Sequence, residues 1–131
     1  MDFNKFCSEA LKINPKIRFV GVYSTTNGNI WYKMQEGVTK VFDDEQTKDT
    51  MIRGYMRWKN RMHAADIIGT PIYTMTKYPK MNRITLPCGS SALIMISTEI
   101  DLEPVELVDD VCKLREKYED DKDYEQRSQT C

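Results

Sequence analysis

The chain lacks most of the chemistry by which an enzyme is recognised. It has one histidine, His63, and four cysteines, Cys7, Cys88, Cys112 and Cys131, with no short paired spacing. Zinc sites draw on two or more close Cys/His pairs, so no metal centre is expected and the thiols read as reduced and structural. His63 and Cys88 are the one conceivable base and thiol, and nothing in the sequence brings them together. Cys88-Gly89-Ser90-Ser91 could offer amides to a phosphate, but it lies between two strands and reads as a hairpin. Asp43-Asp44-Glu45 and Asp109-Asp110 read as helix-end and solvated-face charges. No nucleophile, metal set or phosphate loop stands out, so neither an enzyme nor a cofactor is expected.

Two further absences narrow the class. Net charge is only −1, which gives no global attraction to nucleic acid or an anionic membrane. The first sixteen residues, MDFNKFCSEALKINPK, lack a cationic start and an apolar run of signal-peptide length, and no segment reaches the roughly 18 to 20 apolar residues of a spanning helix. The expectation is a cytoplasmic protein with no membrane partner. At 131 residues the chain can bury one core. Its eight methionines suit a core or interface that packs adaptably.

The stretch from Thr47 to Gly69 organises the rest. At about 100° per residue, Met51, Tyr55, Trp58, Met62 and Ala65 fall on one line of a long helix, with Ile52, Met56 and His63 as a second stripe and Lys59 between. Arg53, Arg57 and Arg61 occupy the far side. Such a helix predicts one face on its own sheet and part of another on a partner. Acidic Asp43, Asp44 and Glu45 precede it, at the positive end of its dipole. Gly69 and Pro71 end it.

Before this helix, Asp2 caps a first helix with apolar Phe3, Phe6, Cys7, Ala10 and Ile13. Lys16 to Ser24 then reads as a strand apolar on both faces. Asn27-Gly28 is a hairpin signal, since both residues accept the positive φ of a type I′ turn, and Ile30 to Met34 returns. Gln35-Glu36-Gly37 closes that strand, and Val38 to Phe42 is an extended link. After the helix, Ile72 to Lys77 is a half-exposed strand in which Tyr73 and Met75 alternate with Thr74 and Thr76. Met81 to Leu86 follows, then a turn at Pro87-Cys88-Gly89-Ser90. Ala92-Leu93-Ile94-Met95-Ile96 reads as a central strand covered on both sides. Asp101 caps and Pro104 opens a last helix, buried through Val105, Val108, Val111 and Cys112, with Leu107, Leu114 and Tyr118 beside them.

The order αββαβββα predicts an α+β fold: a five-stranded antiparallel sheet, the long central helix on one face, the N- and C-terminal helices on the other. Residues 1–118 form the domain, and 119–131 a polar, disordered tail.

This arrangement resembles the roadblock and dynein light-chain family of profilin-like domains, most locally in the hairpin from Ile17 to Ile30. The chain is also similar to a family of small archaeal proteins without an established activity, chiefly from ammonia-oxidising archaea. Ile17-Arg18-Phe19, Gly21-Val22, Glu36-Gly37-Val38, Asp44-Glu45, Met56-Arg57, Gly69, Tyr73, Ile84-x-Leu86-Pro87 and Leu93 to Ser97 carry that likeness. The roadblock resemblance implies a homodimer, sheets joined edge to edge and central helices antiparallel, acting as an adaptor or as a platform for a small GTPase. Ile52, Met56, Lys59, His63, Tyr73 and Met75 fit such an interface. Two alternatives stay open. A small-ligand sensor would show a deep pocket lined by Tyr23, Trp31 or Met75. An RNA-binding module would use the ridge of Arg53, Arg57 and Arg61 with Lys77, Lys80 and Arg83, and is the least favoured.

Overall fold

A computed structural model of the chain describes residues 2–120. Asp2 caps helix α1 (Phe3–Leu11), its carboxylate accepting from the Lys5 amide at 3.0 Å. Strands β1 (Ile17–Ser24) and β2 (Ile30–Met34) form the first hairpin. Helix α2 (Asp44–Arg61), a single 3-10 turn (Met62–Ala64) and short helix α3 (Ala65–Ile68) make the crossing. Strands β3 (Thr74–Lys77), β4 (Asn82–Cys88) and β5 (Ala92–Thr98) and helix α4 (Pro104–Asp120) complete the chain. The strands form one sheet in the order β2-β1-β5-β4-β3, every neighbouring pair antiparallel. The α+β class and the order αββαβββα are those expected. So is the central position of the continuous apolar run in β5.

That run explains the layering. Side chains alternate across a strand, so Ala92, Ile94 and Ile96 enter the core under α1 and α4, while Leu93 and Met95 face α2. The first core also takes Phe6, Cys7 and Ala10 from α1, Val20 and Val22 from β1, Ile84 and Leu86 from β4, and Leu107, Val108 and Val111 from α4. The second is smaller, with Met51, Trp58, Leu93 and Met95 at its centre and Phe19, Tyr23, Ile30 and Tyr55 around it.

Several local expectations are corrected. Only Gly28 in the first hairpin has positive φ, at 74°, so the turn is not type I′. It is a five-residue loop in which Gly28 N–H donates to Ser24 O at 2.9 Å, and the Asn27 side chain accepts from the Asn29 amide at 3.0 Å. A side chain that can bond its own backbone does not need the left-handed conformation. Strand β4 runs through Pro87 and Cys88, so the turn is shorter than expected. Proline is accepted because β3 pairs only as far as Thr85, leaving Pro87 on an open edge where no amide is required. Asp101 pairs with Lys16 at 2.7 Å and lies three residues before α4, too far to cap it. Val105 is 60% exposed, because the buried arc of α4 centres on Leu107, Val108 and Val111. Helix α4 runs to Asp120, two residues into the expected 119–131 tail; residues 121–131, with Cys131, lie outside the described residues.

Candidate functional site

The uncovered part of the sheet lies on the α2 side. Asp43 and Gln46 form a capping box at the start of α2, side chain to amide in both directions at 2.7 and 3.0 Å. The helix buries Thr47, Met51, Gly54 and Trp58. Small residues set its seat: a Cβ on Gly21 would lie 2.8 Å from the Phe19 ring and 2.9 Å from Met51, and one on Gly54 would lie 3.0 Å from Met95. Close approach here centres α2 over β1 and β5. The halves of β4 and β3 on that face remain open.

A cleft with a volume of about 110 Å³ occupies this opening. Its walls are α2, the link from Val38 to Phe42, and strands β3 and β4. Cross-strand pairs Thr74 with Thr85 and Thr76 with Arg83 form a polar floor, continued by Ser97. Phe19, Phe42, Met51, Trp58 and Met95 supply the apolar part. Among the described residues, five that line the cleft are cationic, Arg18, Lys40, Arg57, Arg61 and Arg83, and none is acidic. Arg18 reaches Glu99 at 2.9 Å and Lys40 reaches Asp44 at 2.8 Å. The Arg83 guanidinium sits 5.6 Å from the centre of the Phe42 ring and 5.3 Å from that of Tyr78, a cation–π seat that orients it. Asp44 accepts from both Tyr32 and Lys40. Those bonds hold its carboxyl below the usual range and tie the link to the start of α2.

The predicted arginine ridge is therefore divided. Arg57 and Arg61 line the cleft, while Arg53 turns outward and bonds Asp49 at 2.9 Å. The predicted helix faces shift too. Thr47 and Gly54, unmarked by an apolar pattern, are buried, while Met62 is 36% exposed. The helix also stops earlier than the periodicity suggests. His63 Nδ1 lies 2.8 Å from Asn60 O, the carbonyl that a continuing helix would offer to the Ala64 amide. Gly69 does end the crossing at positive φ, its N–H donating to Ala65 O at 2.9 Å.

Residues expected at a dimer interface fall into two groups. Met56 is 60% exposed on the outer side of α2. Ile52 is half-buried, and Lys59 and His63 are exposed. Met75 pairs with Ile84 and Tyr73 packs on the core under the terminal helices, so both address the opposite face of the sheet. The expected sensor residues do not line the cleft. Tyr23 packs its ring on Tyr55 with centroids 5.4 Å apart, and Trp31 packs on Phe3 at 4.9 Å. Of the cations expected with the ridge, Arg83 joins the cleft and Lys77 donates to Ile100 O at 3.2 Å. The cleft threonines and Arg18 were missed. The available signal was the run of Thr74, Thr76 and Thr85, polar on one face of two adjacent strands.

The conceivable thiol and base stay apart in the fold. Cys7 is buried with its thiol pushed up to about 12 by desolvation, which keeps it protonated. Cys88 is buried under the terminal helices while His63 lies on the exposed crossing. Among the described residues Cys7, Cys88 and Cys112 form no disulfide, no cluster of three metal-ligating side chains occurs, and no helix is long and apolar enough to cross a membrane.

No family model and no curated protein matches the sequence. Solved structures do match the fold. A Roadblock/LC7 domain from Streptomyces avermitilis superposes with a TM-score of 0.71 at 10% identity, over 89% of this chain and 94% of that one. Myxococcus xanthus MglB gives 0.68 at 13% identity, over 90% and 92%. MglC from the same organism gives 0.56 at 10% identity, over 89% and 99%. At these identities the likeness is one of architecture, and the architecture of this chain is the Roadblock/LC7 fold.

Proposed function

We propose that the protein is a non-enzymatic, dimeric platform for protein–protein interaction in the cytoplasm, with a small GTPase as the class of partner that the roadblock resemblance implies. The observation that carries this reading is the apolar surface left in water along the crossing. Met56, Ile67, Ile68 and Ile72 are 60, 87, 81 and 71% exposed, and exposed apolar patches mark interaction sites. Strand β3 adds a free edge at one end of the sheet, and free edges invite pairing.

The charge order along α2 also suits a second copy. Its first turn carries Asp44 and Glu45, and its last carries Lys59 and Arg61. Two copies packed antiparallel would set acidic turns against basic ones, in an interface that is its own complement. One MglB structure has a tetrameric arrangement; for this chain we propose a helix interface at Ile52, Met56, Lys59 and His63, with Tyr73 and Met75 beside the joined edge. Solution mass by light scattering tests the reading. A dimer for the native chain and a folded monomer for Met56→Asp support it; a native monomer overturns it.

The cleft favours a second reading, that of a small-ligand sensor. The division of the arginine ridge argues against a continuous track for RNA.

A further inference from the structure

We propose that the cleft beside α2 binds a small organic anion with an aromatic or short acyl body, its charged head held by Arg57, Arg61 and Arg83. This rests on the sensor reading, and Arg61 is the residue it shares with the charge pairing proposed for the platform. The chain carries 20 acidic residues against 19 basic ones, yet among the described residues no carboxylate lines this cleft. The segregation is local. Arg18 and Lys40 already have carboxylate partners, so the charge left for a ligand is that of the other three arginines.

Their chemistry selects the ligand's head. Guanidinium groups bind phosphate or carboxylate through paired N–H donors. Arg83 is held between two aromatic rings, which reduces the ordering cost of binding. Arg57 and Arg61 are one helical turn apart, where like charges repel by a few tenths of a kcal/mol; an anion offsets that repulsion. The walls select the body. Trp58, Phe42 and Met95 give the cleft an apolar part that rewards an apolar group. A volume of about 110 Å³ is well below the roughly 300 Å³ at which drug-sized pockets begin, so the cleft suits one ring or a short chain.

The test is a titration of the full chain with phenyl phosphate, inorganic phosphate and benzyl alcohol, followed by nitrogen-15 NMR at the Trp58 indole and arginine Nε signals. Phenyl phosphate is expected to shift these signals and to bind at least about tenfold more tightly than either half alone. Arg57→Gln with Arg61→Gln, and separately Arg83→Gln, should each weaken it about tenfold with unchanged melting temperature. Arg83→Lys, which keeps charge but loses the fork, should also weaken it. Equal affinity for inorganic phosphate would mean an adventitious ion only and would overturn the proposal. So would unchanged binding by the variants, or no shift up to about 10 mM. Light scattering on the same samples reports the platform separately. Binding by monomeric Met56→Asp but not by a native dimer would overturn the cleft as a ligand site of the assembled protein.

Discussion

The two faces of the sheet use the same strands and are closed to different degrees. Under α1 and α4 the core is continuous from Phe6 to Val111, and its central side chains have no exposed surface. Under α2 four buried residues form a smaller cluster, and the sheet beyond it carries threonines and arginines. Burial of apolar area is the main favourable term in folding, so the first face holds the domain together. The second keeps unfilled surface at a stable scaffold, which is where recognition is best placed.

Substitutions can break or sharpen this contrast. The largest effect belongs to the closed face. Phe6 is fully buried and meets the Tyr118 ring edge-on at 5.6 Å, so Phe6→Ala should cost about 3–5 kcal/mol in urea denaturation. A smaller loss would mean that the closed face tolerates voids. Gly21 tests the seat of α2. An added methyl meets the Phe19 ring and Met51 at under 3 Å, so Gly21→Ala should cost about 1–3 kcal/mol by the same measurement. A neutral result would show that α2 can ride outward. The least effect is expected in the cleft: Arg57 is exposed, and Arg57→Ala should change stability by less than about 0.5 kcal/mol. A large loss there would make the cleft part of the scaffold.

Much of the architecture was legible because its signals are local. The continuous apolar run from Ala92 to Ile96, the acid cap before a helix and the glycine after one depend on neighbours a few residues away. The element order and the double covering of β5 follow from them. The seat of α2 was harder to read. Of the expected buried line, Met51 and Trp58 are buried, but Tyr55 is half-buried and Met62 exposed, and Thr47 and Gly54 join the buried face in their place, Gly54 because its lack of a side chain lets the helix approach the sheet. Periodicity scores hydrophobicity and is blind to space.

The sequence by itself determined the strands, the helices and their order, because backbone period and turn chemistry act over short range. Only the tertiary structure decided which half of the sheet α2 would leave open. It also decided that Arg57 and Arg61 from the helix would meet Arg83 from β4 around one cleft, far apart in sequence. That meeting depends on helix docking and strand register, which no short stretch of residues encodes.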